Sequence, residues 1–406
     1  MQKITAAGQA RRRAWLIDSA DFWRLWSVGL VVFTVRWVET VAIGVFVYQH
    51  TNSAFIVAMM TMLRLLPMGL FGVFLGALAE RMERRSTLIC VTIGMVATSS
   101  VLAALAHWHM LEVWHLAVAS FINGLGWATD NPVRRVMIGE AVGSAQMGTA
   151  MSLDVGANNA SRMVGPTVGG LLLAGIGIEG VFALSVTLYV LAVAAACRVR
   201  YRNAVLPVAT ESVLARISEG LRLVRGDRRL VGTLTVTVIY NVFGWPFTSM
   251  VPVIGQDRLL LAAEGIGILS SMDGIGAFAG AVLVAMYCRP HFYRRIYIGG
   301  VMLYMVMLIV FALVPLPEVA GLALLFTGLG GAGFSIMQAT LVYLAAPPEM
   351  RSRTLGVLSV CIGVGPVGFI ALGWLADGIG APWATAAMGV TGLLLMLLTR
   401  PLWRVI

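Results

Sequence analysis

Five ionisable side chains sit deep inside long apolar stretches of this 406-residue chain: Arg36, Glu39, Arg64, Arg162 and Asp273. A charge in such surroundings costs several kcal/mol and persists where it is paired or faces a water-filled cavity. Counted at about 1.5 Å per helical residue, all five lie roughly 9 to 13 residues from the same end of their stretches, which gives them one shared depth. Their chemistry divides by type. A carboxyl group held away from water favours its neutral form and can exchange a proton near neutral pH, which makes Glu39 the candidate proton carrier of the first stretch. An arginine keeps its charge and cannot shuttle protons, but it attracts an anion. Arg36 and Glu39 stand three residues apart on one helical face, so a local structural pair is the competing account.

A second constellation is the stripe Asp154, Asn158 and Arg162, spaced i, i+4 and i+8 so that one helical face is polar over two turns. Such stripes either join helices or line cavities, and both readings stand. Other chemistry is excluded by what the chain lacks. Of 29 Lys and Arg residues Lys3 is the sole lysine, so a Walker A loop, a Ser-x-x-Lys pair and a pyridoxal Schiff base have no lysine deep in the fold to use. ATP-driven transport by this chain alone is excluded. Cys90, Cys197, Cys288 and Cys361 show no metal-ligand or C-x-x-C spacing and read as small apolar residues; no metal and no cofactor is expected. Gly328, Gly330 and Gly333 spell G-x-G-x-x-G inside an apolar stretch with no strand before it, which points to close helix packing rather than dinucleotide binding. His107, His109 and His115 read as solvated helix-end residues, with sensing of external pH as the sharper alternative.

The elements that must position these groups follow from composition. The chain is 59% hydrophobic and 12% charged, with 45 glycines, against a charged share of about a quarter in soluble domains. Apolar stretches fall near 22 to 48, 54 to 79, 86 to 107, 112 to 134, 150 to 175, 179 to 197, 230 to 254, 263 to 287, 295 to 315, 319 to 345, 353 to 375 and 382 to 401. Each suits a transmembrane helix of about 20 residues. The two sets of six are divided by the polar, arginine-rich segment 198–229, whose second half has the pattern of an amphipathic helix lying on the membrane. The expected domains are therefore a bundle over 1–197, a cytoplasmic linker over 198–229 and a second bundle over 230–406. Arg11, Arg12 and Arg13 resemble a twin-arginine export signal, but Asp18 and Asp21 and an overlong apolar run follow, so a retained first span is expected. The N-terminus, alternate loops (Arg81, Arg84, Arg85; Arg134, Arg135; Arg289, Arg294, Arg295; Arg351, Arg353), the linker and the C-terminus carry nearly all the cations, and Arg258 stands alone on the opposite side. By the positive-inside rule both termini are cytoplasmic. This bias accounts for the net charge of +10, leaving contact with anionic lipids but no nucleic-acid partner. Trp15, Trp23, Trp26, Trp108, Trp114 and Trp403 fit an interfacial belt.

The halves repeat. Sliding by 203 positions brings Met147 onto Met350, Gly165 onto Gly368, Gly170 onto Gly373, and Gly175-Ile176-Gly177 onto Gly378-Ile379-Gly380. Two parallel repeats around a central cavity are the expected result. The segment Gly76-Ala77-Leu78-Ala79-Glu80-Arg81-Met82-Glu83-Arg84-Arg85 resembles the loop signature of the major facilitator superfamily, Gly-x-Leu-Ala-Asp-Arg-x-Gly-Arg-Arg. Arg162-Met163-Val164-Gly165-Pro166-Thr167-Val168-Gly169-Gly170 is similar to the Gly-Pro motif of its exporters. With Tyr48-Gln49-x-Thr51-x-Ser53 and Arg64-x-x-Pro67, the pattern is most similar to the branch holding the enterobactin exporter and the macrolide efflux pumps. Glu80 and Glu83 depart from the signature's aspartate and glycine, the latter making positive φ at the turn costly. The equivalent segment Cys288–Arg295 keeps the cations but not the rest.

The resemblance implies an all-α integral membrane protein of twelve transmembrane helices in two six-helix pseudo-repeats. It implies a cytoplasmic gate of Gly76, Glu80, Arg81, Arg84, Arg85 and Asp130, in which Glu80, Arg84 and Asp130 form a charge relay; an ordinary i,i+4 pair of Asp130 with Arg134 competes with it. Gly165, Pro166, Gly169 and Gly170 would allow close packing, and Arg162 would meet Asp273 between spans five and eight. Arg36, Glu39, Arg64, Asp154, Asn158, Arg162 and Asp273 are the expected cavity and proton-coupling set. The implied activity is proton-coupled export of a siderophore or amphipathic drug across the cytoplasmic membrane by a monomer, with protons and membrane lipids as further partners. An importer of a small metabolite is the alternative. A membrane-embedded transferase or hydrolase would need paired His/Asp or Ser/His groups at one face, and none stands out.

Overall fold

The computed structural model describes residues 19–81, 83–200, 213–347 and 350–406; within these ranges the side chains of 71–81, 144–145, 213–218, 220 and 352 are not described. Lys3, Arg11, Arg12, Arg13, Trp15 and the linker stretch 201–212 lie outside the described residues. The described chain is helical almost throughout, as α1 (Ala20–Thr51), α2 (Ala54–Arg81), α3 (Arg84–His107), α4 (Val113–Gly175), α5 (Ile178–Cys197), α6 (Val213–Gly226), α7 (Arg228–Ile239), α8 (Val251–Asp257), α9 (Ala263–Tyr287), α10 (Tyr293–Leu313), α11 (Pro317–Ala345), α12 (Arg351–Gly363), α13 (Gly365–Ile379), α14 (Ala381–Leu398) and α15 (Arg400–Trp403).

Local chemistry sets the helix ends. Ser19 caps α1 by accepting from the Phe22 amide at 3.2 Å, with Asp21 in the first turn. The same helix stops at Asn52, which takes the left-handed conformation (φ 50°). Gly177 and Gly380 carry φ of 83° and 88° at the start of the last long helix of each half. Here the sequence repeat is also a conformational one, because only glycine adopts such backbone without strain. Glu83, where the family signature has glycine, is extended (φ −63°) and precedes α3, so this turn uses no positive φ.

Helix α4 is not one rod. Gly143 breaks it with φ 71°, ψ 172°, and Arg134 pairs with Asp154 twenty residues on at 2.5 Å. A straight helix would hold those residues about 30 Å apart. The chain therefore reverses at Gly143, and the 113–142 and 144–175 arms run antiparallel. Nine segments among the described residues are long and apolar enough to cross a membrane. The three remaining expected stretches fall on α2 and on the two arms of α4. Large apolar side chains such as Val101, Leu171, Leu191, Leu322 and Leu397 are more than half exposed around the outside, as lipid-facing positions of a bundle are.

The first set of helices (α1 to α5) packs round Phe22, Leu25, Val32, Leu88 and Tyr189, and the second set (α7 to α14) round Tyr297, Tyr304, Phe311 and Phe334. The seventh apolar stretch is irregular: α7 passes through a π turn (Tyr240–Gly244) and a 3-10 turn (Trp245–Ser249) before α8. Pro246 and Pro252 remove amide donors there and force the break. The halves meet along α4 with α9, α2 with α13, and α1 with α8. Glycines permit the approach: a methyl group on Gly170 would stand 3.0 Å from Gly267 Cα, and one on Gly373 3.0 Å from Phe55 Cα. Within the C-terminal half the G-x-G-x-x-G run allows close helix packing, since Gly328 faces the backbone of Asp273 and Ala277 while Gly330 and Gly333 face Gly300.

Candidate functional site

At mid-depth the structure gathers the deep charges into two ion pairs and one unmatched arginine. Glu39 is fully buried in α1, and its Oε2 accepts from Arg64 Nη2 of α2 at 3.1 Å and from Asn123 Nδ2 of α4 at 3.4 Å. Arg64 also reaches the Arg36 carbonyl and Thr40 Oγ1, both at 3.4 Å. Arg162 on the 144–175 arm donates through Nη2 to Asp273 Oδ2 of α9, so this pair joins the two halves. The competing local pair of Arg36 with Glu39 does not form. Arg36 instead lays its guanidinium over the Trp127 ring, 4.1 Å from its centroid, with Trp37 at 5.7 Å. Three-residue spacing shares a face, but a neighbouring helix offered each side chain a better partner than the other. A cavity with about 20 Å³ of room, enough for one water, opens beside Arg64 between Thr40, Thr61 and Ser120.

Asp154 departs from its expected place in this cavity. It is 1% exposed and is held by Arg134 at 2.5 Å and Arg135 at 3.0 Å. Eight residues separate it from Arg162, about 12 Å along the helix, and the reversal at Gly143 folds the two arginines back onto it. Asn158, between the two, is half-buried. Of the residues of the implied relay, Asp130 pairs here with Arg134 at 3.3 Å and Arg84 with Glu140. Arg85 donates to the Cys197 carbonyl at 2.8 Å. Gly76, Glu80 and Arg81 belong to the last turns of α2, and their side chains lie outside the described residues. Arg134, counted above among loop cations, is inside a helix and 0% exposed. Gly29 makes this possible, because any Cβ there would overlap the guanidinium. Trp26, assigned above to the interfacial belt, donates to the Leu153 carbonyl at 3.0 Å and so ties α1 to α4.

The glycines of the Gly-Pro motif are packing positions. A methyl group on Gly165 would stand 2.6 Å from Trp37 Cβ and one on Gly169 3.1 Å from Val38 Cα, both on α1, while Gly170 and the Pro166 carbonyl face α9. Beside them Thr167 and Ser271 join hydroxyls at 2.8 Å across the halves.

Sequence reasoning did not anticipate the closure at the end of the bundle away from the termini. There Tyr48 donates to Asp257, and Asp377 accepts from Ser53 Oγ at 2.7 Å and from the Phe55 amide at 3.1 Å. Both connect the N-terminal half to the C-terminal half. The signal was present, since Tyr48 and Ser53 belong to the motif after the first stretch, but their partners are more than 200 residues away. Arg258 at this end donates to the carbonyls of Leu313 and Val314 at the end of α10, a favourable place for positive charge.

The sequence profile of the family described as transmembrane secretion effector matches residues 17–405. The chain is similar to macrolide efflux protein A of Streptococcus pyogenes, 23% identical over 366 residues that cover 88% of this chain and 90% of that protein. It is similar to the multidrug efflux pump Tap of Mycolicibacterium fortuitum, 28% identical over 373 residues, again 88% of this chain and 90% of the other. In fold it is similar to the crystal structure of a bacterial homologue of the human lysosomal transporter Spinster in an inward-facing, unoccupied conformation, with a TM-score of 0.73 at 14% identity, covering 94% of this chain and 95% of that one. The chain belongs to the transmembrane secretion effector family of the major facilitator superfamily, as a multi-pass membrane transporter of the efflux branch and not an enzyme.

Proposed function

We propose that this small-molecule transporter is a proton-coupled exporter working by alternating access as a monomer in the cytoplasmic membrane, with both termini cytoplasmic and a siderophore or amphipathic drug as cargo. The observation that carries the reading is the Arg162–Asp273 pair, which bridges the two halves at mid-depth. An ion pair at such a place is strong when both groups are charged and is lost when the carboxylate takes a proton. The arginine bias assigns the termini to the cytoplasm, so the end closed by Tyr48–Asp257 and Ser53–Asp377 is the outer one and the conformation is a loading state.

The cycle then follows from charge. Cargo entering from the cytoplasm competes with Asp273 for Arg162, which loosens the contact of α4 with α9 and lets the outer end open. After the cargo leaves, a proton from outside neutralises Asp273 or Glu39, and the carrier returns inward. Release of the proton to the cytoplasm restores both ion pairs. Binding can shift this equilibrium only by its differential affinity for the two states, and the mid-depth pairs supply the difference.

The test uses everted membrane vesicles with an acid interior and a pH-sensitive dye, to which candidate siderophores and drugs are added. Cargo-evoked alkalinisation is expected with the wild type and is expected to vanish in Glu39→Gln and Asp273→Asn. No response to any compound, with accumulation of a labelled metabolite by whole cells, would replace the exporter with the importer.

A further inference from the structure

The mid-depth site has more positive than negative charge, and the excess is localised. Arg64 is matched by Glu39 and Arg162 by Asp273, whereas among the described residues Arg36 has no carboxylate partner. Arg64 and Arg162 both lie within electrostatic reach of Arg36, which adds repulsion. What flanks it is aromatic: Trp127 at 4.1 Å on one side and Trp37 at 5.7 Å on the other, with Trp37 also 5.5 Å from the Arg162 guanidinium. The indole Nε1 atoms of both tryptophans, and Nε of Arg162, are buried with no hydrogen-bond acceptor. Buried donors without acceptors are costly, and a guanidinium stacked on an indole keeps its edge N–H groups free to donate in its plane.

A cluster of one unmatched cation and three unanswered donors is what an anion satisfies. We infer that Arg36, Trp37 and Trp127 form a subsite for the acidic group of the cargo, a carboxylate or comparable oxyanion attached to a flat apolar body. The oxyanion accepts from the Arg36 guanidinium, and the body lies along the indole faces. A cationic cargo would meet three arginines here, and a neutral one would leave Arg36 unmatched. This inference rests on the transport reading above and narrows its cargo class to acidic aromatic compounds.

The experiment measures binding and needs no transport, so its failure and that of the coupling scheme are separable. Purified full-length protein in lipid nanodiscs is equilibrated with three radiolabelled probes of similar shape: 2-naphthoate, 2-naphthylmethanol and 2-naphthylmethylammonium. The wild type is expected to bind the carboxylate at least about tenfold more tightly than the other two, with empty nanodiscs subtracted. Arg36→Gln is expected to abolish that preference, and Arg36→Lys to retain part of it, since a point cation keeps the charge without the planar fork. Thermal unfolding of each variant shows that it is folded, and the lysine variant keeps the test decisive if the glutamine variant is not. Equal binding of the three probes by the wild type, no binding of the carboxylate, or a preference that survives Arg36→Gln would each overturn the subsite. Carboxylate preference alongside an absent proton signal in vesicles would leave the subsite standing and remove the coupling scheme.

Discussion

Between α1 and α5 the interior holds Glu39, Asp130, Arg134 and Asp154, none more than 1% exposed. The corresponding interior between α7 and α14 is filled by rings. Tyr240 stacks on Phe334 at 3.7 Å, Tyr304 lies 4.5 Å from Tyr240, and Phe247 meets both Tyr304 and Phe311. Asp273 is the acidic residue this half places at the mid-depth site, and it is spoken for by Arg162 of the other half. The difference teaches that two halves with a repeating sequence pattern are held together by different forces. An ion pair loses its attraction when its carboxylate is neutralised. Ring stacking and glycine-mediated backbone contact carry no charge for a proton to remove.

Substitutions can break this contrast. The largest effect is expected from Arg134→Leu, which leaves buried Asp130 without its arginine and Asp154 with Arg135 alone and costs about 3–5 kcal/mol, read as a fall in the detergent unfolding temperature. Adding Asp130→Asn and Asp154→Asn to the same chain should recover much of that loss, because the cost is mainly that of uncompensated charge. Next is Gly276→Ala in the C-terminal half, whose methyl group would be driven into the Leu325 carbonyl, for about 1–3 kcal/mol. If the glycine change proves costlier than the arginine change, the contrast between the halves is wrong. Phe334→Leu follows, at about 1 kcal/mol beyond lost area, and should leave the pH dependence of transport unchanged. Glu39→Gln should do the reverse, flattening the rise in exchange as the outer side is acidified while leaving the unfolding temperature closer to the wild type than Arg134→Leu does. The smallest effect is expected of Asp377→Asn, which weakens two hydrogen bonds at the closure away from the termini for about 1 kcal/mol. Distances between spin labels placed on Asn52 and Ala262 should broaden toward the open state.

Much of the architecture was legible because the membrane imposes it. Every backbone polar group must be satisfied within a helix, so runs of apolar residues translate directly into elements. The glycines at 177 and 380 were visible as a repeat and proved to be equivalent positions where the backbone takes positive φ. The pairing of Arg162 with Asp273 followed from a shared depth and a known neighbour relation. Asp154, Arg134 and Arg36 were misplaced for one reason. Spacing along a helix fixes which face a residue shares, but partners on other helices decide what that face meets. Nothing local announces that Gly143 turns the chain back on itself, that Gly29 leaves room for a buried guanidinium, or that Trp127 stands over Arg36.

By itself, then, the sequence determined a twelve-stretch membrane chain, the depth of its charges and the exclusion of lysine-dependent and ATP-driven chemistry, because these depend on residue type and on distance along one helix. Only the tertiary structure decided which carboxylate holds which arginine, which cation is left over and which end of the bundle is shut. Those depend on contacts between segments up to 324 residues apart, such as Ser53 and Asp377, where geometry is set by the packing of whole helices and not by any local pattern.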